Sequence, residues 1–574
     1  MPRKRTRIRV SGRDVLVWGL IAASLPSCSK EDSPADTTTF ALPADAATAA
    51  QAIDEATLFE VVGALSDDAL AGRGPSTRGD RMARQYIAGF LQELGCEPGA
   101  PDNAWEQPIA LVGITSHMPE TWSFHANGQT LDLVWWDEYI AATGVQNEAV
   151  AIDRAEVVFV GYGITAPEED WDDFKGADLS GKVLLVLNND PDWDPDLFAG
   201  TRRLFYGRWT YKFESAARQG AAGAIIIHTT PSAGYPFQVV QTSWTGEQFE
   251  LPASDEPRTP LTGWVTEEAA RKLVAIGGED LDELVASARS RDFRPVPLGI
   301  ETAIRFENTI NRGSQSANVA GLLRGRDPQL AGEIVVYTAH HDHLGTGKPN
   351  DAGDTIYNGA RDNASGVATV LAVAKAFAAL PEPPRRSVLF LLVGAEEQGL
   401  LGSRYFAEHP TVHPGRIAAN INVDSPNVFG RTRDVAVIGR GKSGLEDLLE
   451  SAAALQKRVV VDEPFPDKGY YYRSDQFNFA KIGVPALYFK AGTDFVGRAP
   501  EWGRETEDAW RAAHYHQPSD EVADDWDLAG LVEDAQLAFY VGLSVAEADA
   551  LPAWKPGDEF EDVRKRMLRE AAAQ

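Results

Sequence analysis

The most apolar run of the chain, residues 387–395 (SVLFLLVGA), leads directly into Glu396-Glu397-Gln398-Gly399. An apolar run of this length, without alternation, is typical of a strand that is buried on both faces of a sheet. Such a strand would deliver Glu396 and Glu397 to the carboxyl end of the sheet, where ligands bind in open α/β folds. Two carboxylates at that place are costly to desolvate and repel each other unless a cation joins them. The run therefore predicts an α/β fold and a metal site together.

Further apolar runs extend this pattern on either side. Residues 333–339 (EIVVYTA) and 418–423 (AANINV) have strand character, and residues 366–380 (GVATVLAVAKAFAAL) have helical character. We therefore predict an α/β fold with a mainly parallel or mixed sheet sandwiched by helices. Residues 135–297 have separate strand-like runs and turn-rich joints, which predicts an inserted domain that the chain enters and leaves.

Composition limits the possible functions. The chain has 574 residues, of which 44% are hydrophobic and 24% charged, which is ordinary for a globular protein. Its formal net charge of −30 makes nucleic acid a poor partner. Only two cysteines occur, Cys28 and Cys96, so a disulfide scaffold and a cysteine-rich zinc site are both excluded.

Four more polar clusters are predicted at strand ends or helix starts: AHHDHLG (339–345), NGARDNASG (358–366), NVDS (422–425) and HYHQPSD (514–520). Taken singly, each has an ordinary structural interpretation, such as a buried histidine, a surface acid pair or a helix cap at Asp362. Their shared position at the sheet end favours a metal centre instead. Imidazole and carboxylate ligands without thiolate suit Zn²⁺, with Mn²⁺ or Co²⁺ as substitutes.

The order of AHHDHLG, NGARDNASG, GAEEQGLLGS, NVDS, YRSDQF and YHQPSDE resembles that of the co-catalytic di-zinc exopeptidases, a family of secreted bacterial aminopeptidases and glutamate carboxypeptidases. The resemblance covers residues 52–550 and implies the zinc exopeptidase fold. Residues 135–297 resemble the β-rich protease-associated (PA) domain that is often inserted in such enzymes, through VGYGI, LSGKVLLVLN and AARQGAAGAIII.

The resemblance implies two zinc sites. His340 and Asp424 would hold one zinc ion, Glu397 and His516 the other, and Asp362 would bridge the two. The resemblance also implies catalytic roles for two residues that are not ligands. Asp342 would orient the His340 imidazole. Glu396 would be the general base, taking a proton from the attacking water and passing it to the leaving amine.

Other residues of the same motifs are not expected to bind metal. His341 points away from His340 in an extended chain, so we do not expect it to be a ligand. His343 flanks the same segment, and His514 is as consistent with packing as with a place in the pocket. Arg473 fits either contact with a substrate carboxylate or, preferably, an ion pair with Asp475 or another acid.

The predicted function is a zinc-dependent exopeptidase, most simply an aminopeptidase that acts on a peptide substrate. The alternatives are a glutamate carboxypeptidase, which would need several arginines near the cleft, a glutaminyl cyclase, and a receptor-like homologue without catalysis. No dimerisation domain is evident after His516, so a monomer is predicted.

The amino terminus has the pattern of an export signal. A basic start precedes an apolar run at 15–25 and Leu25-Pro26-Ser27-Cys28, which resembles a bacterial lipobox. We therefore predict an exported protein, either a periplasmic or outer-membrane lipoprotein attached through Cys28 or a secreted enzyme. The predicted divisions are a signal peptide (1–27), a flexible tether (28–51), a catalytic domain (52–134 and 298–552), the PA-like domain (135–297) and a solvated tail (553–574).

Overall fold

The computed structural model describes residues 39–573. The strands, in chain order, are β1 (Glu97–Pro98), β2 (Glu106–His117), β3 (Thr121–Ala126), β4 (Gln129–Val134), β5 (Tyr139–Thr143), β6 (Ala149–Phe159), β7 (Thr165–Ala166), β8 (Trp171–Asp172), β9 (Val183–Leu187), β10 (Gly223–His228), β11 (Glu247–Glu250), β12 (Leu261–Thr266), β13 (Val296–Leu323), β14 (Ile334–His340), β15 (Gly345–Thr346), β16 (Ile356–Tyr357), β17 (Ser387–Val393), β18 (Ile417–Asn422), β19 (Asp434–Val437), β20 (Val459–Asp462) and β21 (Ala486–Ala491).

The α-helices, in the same order, are α1 (Ala46–Ala49), α2 (Glu55–Leu65), α3 (Arg78–Glu93), α4 (Trp209–Arg218), α5 (Thr230–Ala233), α6 (Phe237–Ser243), α7 (Glu267–Gly277), α8 (Leu281–Ala288), α9 (Ser365–Ala378), α10 (Leu401–Glu408), α11 (Leu445–Leu455), α12 (Gln476–Lys481), α13 (Trp502–His514), α14 (Ala529–Glu547) and α15 (Glu561–Ala572). No helix within residues 39–573 combines the length and the apolar composition that a membrane span requires.

The central sheet confirms the predicted α/β fold with a mixed, largely parallel sheet. Its order is β13–β17–β14–β18–β21–β19–β20, in which β13 and β19 are antiparallel to β17 and β21 and the other neighbours are parallel. Alternate residues of β14 enter two different apolar clusters: Val335 and Tyr337 pack with α9 and α14, whereas Val336 packs with α10 and α12. Because both faces are covered, the strands contain continuous apolar runs instead of alternating ones.

A second apolar cluster forms around residues of the predicted insertion. Strands β6, β9, β10 and β12 are parallel neighbours, with β13 antiparallel to β6 at one edge and β5 antiparallel to β12 at the other. The cluster extends beyond 135–297, from Trp122 to Phe306, because flanking strands with alternating burial contribute their inward side chains. The PA-like identity of this region stays a prediction.

One strand belongs to both regions. β13 is 28 residues long, and its first half alternates between buried and exposed positions while it pairs with β6. Its last residues, Val319–Leu323, are antiparallel to β17 in the central sheet, and β2 pairs with β13 between these two ends. β13 therefore belongs to both sheets and joins them through its backbone, with register shifts in its pairing with β6 and β2.

The predicted tether is too long at its carboxyl end. Ala46, Ala49 and Ala50 are almost fully buried in the main core, where α1 packs before the predicted start of the catalytic domain. Their small side chains permit close packing, although the same alanine-rich composition resembles a linker. The predicted signal peptide and Cys28 lie outside the described residues.

The predicted solvated tail is also wrong in part. Its helix exists as α15, but Trp554, Phe560 and Arg564 are buried. The Trp554 indole donates a hydrogen bond to the carbonyl of Gly483 (3.0 Å) and lies 5.2 Å from the Phe560 ring. The tail is therefore part of the fold. The sequence pattern did not show this because charged residues surround these three side chains in the sequence.

We expect Trp554→Ala to lower the free energy of unfolding by about 3–5 kcal/mol, because it removes a buried aromatic side chain and its hydrogen bond. Urea denaturation measures this change. Leu455→Ala, at a position that is 57% exposed, is the control, with an expected change within about 0.5 kcal/mol. A Trp554→Ala effect as small as that of the control would restore the interpretation of a solvated tail.

Candidate metal centre

The five predicted metal ligands converge at one end of the central sheet. His340 ends β14, Glu397 lies just after β17 and Asp424 just after β18. These three strands are parallel neighbours, so their carboxyl ends meet at one edge. Asp362 lies in the turn that precedes α9, and His516 follows α13.

Asp362 lies between the two histidines. Its Oδ1 is 3.2 Å from Nε2 of His340, and its Oδ2 is 3.4 Å from Nε2 of His516. Oδ1 of Asp424 is 3.9 Å from the same nitrogen of His340, and Oε2 of Glu397 is 3.0 Å from that of His516. The geometry therefore has two halves that share one carboxylate, which is the arrangement that the family resemblance implies. The ligand roles themselves stay predictions.

The electrostatics of this cluster reflect crowded, buried acids. Burial disfavours charge on His516, but Glu397 and Asp362 outweigh it and raise the pKa of His516 to about 9. Burial raises the pKa of Glu396 well above its ordinary value; His340 opposes this shift and the neighbouring carboxylate of Glu397 adds to it. The chain thus holds carboxylates where they repel one another and where positive charge is favoured.

Asp342 has a different contact from the predicted one. Nδ1 of His340 is 3.2 Å from the main-chain oxygen of Asp342, whereas the carboxylate Oδ1 is 3.9 Å away. The carboxylate instead accepts the backbone N–H groups of Glu396 (3.0 Å) and Glu397 (3.3 Å). Because the chain turns after β14, the backbone of Asp342 orients His340, and its side chain fixes the Glu396–Glu397 segment.

Asp520 is a structural support that the sequence did not reveal. Its two carboxylate oxygens accept the backbone N–H groups of Arg361 (2.9 Å) and Asp362 (3.0 Å). It belongs to the last polar cluster, four residues after His516, and could have been suspected from that position alone. Through Asp520 the segment that carries His516 also positions Asp362.

The three other histidines of these motifs have different surroundings. Nε2 of His341 lies 3.0 Å from the carbonyl oxygen of Ala317, and burial lowers the pKa of His341 to about 3, so this ring faces away from the site as predicted. His343 is fully buried, and its Nδ1 lies 2.8 Å from Oε1 of Glu397. Sequence reasoning gave His343 no role, although it is in direct contact with a predicted ligand. His514 bonds to Ser519 and does not join the cluster.

Arg473 does not form the expected ion pair with Asp475. Its guanidinium lies over the rings of Tyr235 (5.3 Å) and Tyr470 (5.6 Å), and no ion pair of Arg473 is found in the described part of the chain. It lines the same cleft as Glu396 and four of the five predicted ligands, His340, Asp362, Glu397 and Asp424. The stacking explains how the half-buried Arg473 is accommodated beside aromatic rings.

Comparisons with known proteins agree with this geometry. Residues 318–540 match the model of peptidase family M28. Aminopeptidase YwaD of Bacillus subtilis is 23% identical over 248 residues, which are 43% of this chain and 48% of that protein. The probable lipoprotein aminopeptidase LpqL of Mycobacterium tuberculosis is 26% identical over 353 residues, which are 52% of this chain and 67% of that protein. The chain thus spans about half the length of the first relative.

Among solved structures, the aminopeptidase from Aneurinibacillus sp. strain AM-1 covers 89% of this chain and 98% of its own, with a TM-score of 0.53 and 19% identity. This likeness supports the fold. Residues 318–540, the segment that matches the model of peptidase family M28, contain all five predicted ligands.

Proposed function

We propose that this chain is a zinc-dependent aminopeptidase with two zinc sites. His340 and Asp424 would form the first site, Glu397 and His516 the second, and Asp362 would contribute one oxygen to each. The observation that carries the proposal is the position of Asp362, whose two oxygens face the Nε2 atoms of two different histidines.

The residues fit such a pair of cations. Asp362, Glu396, Glu397 and Asp424 are close together, and within residues 39–573 their ion-pair partners are histidines, with no lysine or arginine among them. Nε2 of His516 is buried and makes no hydrogen bond. Ligand atoms of His340, Asp362 and Asp424 lie within 4.8 Å of one another, and so do those of His343, Asp362 and Glu397. Nitrogen and oxygen atoms of these types are ligands that zinc prefers.

Bound zinc would supply Lewis acidity, which polarises a carbonyl group and makes water a nucleophile near neutral pH. The chain itself would supply the proton transfer. Glu396 is 9% exposed and its Oε2 lies 3.8 Å from Nε2 of His340, so its carboxylate is beside the predicted ligands. It would accept the proton of the attacking water and donate it to the departing amine.

A neighbouring cavity suggests the side chain that the enzyme accepts. Together with the open solvent at its entrance it has a volume of about 600 Å³, and it shares Ser425, Tyr470, Lys490 and Arg511 with the metal cleft. Its lining includes the apolar side chains Phe429, Ile438, Phe465 and Phe495. We propose that it accepts a large apolar side chain next to the bond that is cleaved.

The proposal predicts that chelation abolishes hydrolysis and that added Zn²⁺ restores it. We expect leucyl and phenylalanyl anilides to be cleaved faster than glutamyl anilide, and N-acetylated forms to resist cleavage. Release of the chromophoric amine measures each rate. Cleavage that survives complete zinc removal would contradict the metal mechanism, and preference for N-acetylated peptides with a free carboxyl terminus would instead favour the carboxypeptidase alternative.

Export is a further part of the proposal. It is supported by the basic and apolar amino-terminal pattern with Cys28 and by the similarity to LpqL, whose name describes a probable lipoprotein. Attachment through a lipidated Cys28 and the monomeric state stay predictions.

A further inference from the structure

A short helix of the second region lies against the segment that carries His516. Helix α6 ends at Ser243, and three of its side chains bond to residues 516 and 517. Ser243 Oγ lies 2.7 Å from Nδ1 of His516, and Thr242 Oγ1 donates to the carbonyl of the same residue (3.2 Å). Gln238 donates to the side chain of Gln517 (3.0 Å). The helix thus holds both the ring and the backbone of His516.

The contact of Ser243 is at the nitrogen that faces away from the predicted zinc site. Nε2 of His516 lies among the carboxylates, so Nδ1 must carry the proton of the neutral ring when Nε2 binds a cation. The Ser243 hydroxyl can accept that proton in a hydrogen bond, which selects the tautomer and the ring orientation. Contacts of this type at metal-binding histidines commonly change metal affinity by about 10–100-fold.

His516 needs such support from its surroundings. Its φ of +57° lies in the left-handed region, which is costly for a residue other than glycine. The ring of His516 stacks on that of Tyr515, with centroids 3.9 Å apart, and meets that of His343 edge-on at 5.6 Å. A hydrogen bond at Nδ1 fixes the remaining rotation of the ring.

The two predicted zinc sites differ in how their histidines are held. Nδ1 of His340 contacts a main-chain oxygen two residues away, within the same segment. Nδ1 of His516 instead contacts a side chain 273 residues away, on a helix within the predicted 135–297 insertion. Loss of one hydroxyl on α6 should therefore affect one site and leave the other unchanged.

We propose that Ser243 is a positioning residue for His516, through which the second region helps to set the zinc affinity of the Glu397–His516 site. This inference rests on the proposed two-zinc function. It assigns a part in the metal centre to a region that carries none of the five predicted ligands.

The test compares Ser243→Thr with Ser243→Val, two side chains of the same shape that differ in the hydroxyl group. Zinc affinity of each site is measured by competition with a chromophoric chelator, and stoichiometry by metal analysis. We expect Ser243→Val and Ser243→Ala to bind the first zinc normally and to weaken the second site by about 10–100-fold. Ser243→Thr should stay closer to the wild type.

Thr245→Ala is the matched control, since the Thr245 hydroxyl donates to the carbonyl of Gln241 and does not touch His516. It should bind both zinc ions as the wild type does. Equal affinities in wild type, Ser243→Val and Ser243→Ala would overturn the inference alone. A wild-type protein that binds no zinc would overturn the proposed function itself, so the two failures are distinguishable.

Discussion

Asp362→Ala should yield a folded protein that retains neither zinc ion. Its carboxylate is the group that faces both histidines, so its removal takes one ligand from each site. It also removes the negative charge that would lie between two divalent cations, which then repel each other without shielding. Metal analysis after dialysis against a weak chelator gives the zinc content, and circular dichroism shows whether the fold is retained.

Asp424→Ala is the informative comparison for this result. Of the two histidine ligands, Asp424 forms an ion pair with His340 alone within residues 39–573, so we expect its replacement to empty one site and leave the Glu397–His516 site occupied. Both variants lose one buried carboxylate from the same cleft, which controls for the change of charge. If Asp362→Ala keeps as much zinc as Asp424→Ala, then Asp362 is not a bridge.

Glu396→Gln should separate metal binding from catalysis. The amide has the shape of the carboxylate but cannot accept a proton from water at neutral pH, so we expect turnover to fall by about 10²–10⁴-fold. Zinc content should stay near that of the wild type, because Glu396 is not one of the five predicted ligands. Initial rates on leucyl anilide and metal analysis of the same preparation provide both measurements.

The matched variant is Glu397→Gln, which alters the adjacent residue of the same pair. Glu397 contacts His516 and His343, so we expect this change to reduce zinc content as well as turnover. Full activity of Glu396→Gln would show that another group transfers the proton. Loss of zinc from Glu396→Gln would show that the general base and the ligand of this pair have been assigned in the wrong order.

Much of the fold and of the cluster is predictable because it depends on local signals. Each of the runs 333–339, 387–395 and 418–423 forms a strand, and the parallel arrangement brings His340, Glu397 and Asp424 to one edge. The helix predicted at 366–380 is α9. Apolar runs and the position of polar residues at their ends are properties of the sequence itself.

The contacts that support the cluster are not predictable in this way. Asp520 bonds to the backbone of a residue 158 positions away, and the choice of the Asp342 main chain over its side chain depends on how the chain turns after β14. The prediction of a solvated tail was wrong for a related reason, since Trp554 packs against partners far away in sequence. Such contacts depend on tertiary geometry, which periodicity does not encode.

The shared strand β13 has a mechanical consequence. A hinge needs a connection whose backbone is free to rotate, but here β13 is paired through hydrogen bonds with β2 over Glu307–Asn311 and Ser314–Val319, on either side of one register shift. Tilting one region against the other would break several of these bonds at once. We therefore expect peptides to enter the cleft without a tilt of one region against the other. Excision of residues 135–297 would remove the first residues of β13 and leave the rest of this strand without its neighbour β6.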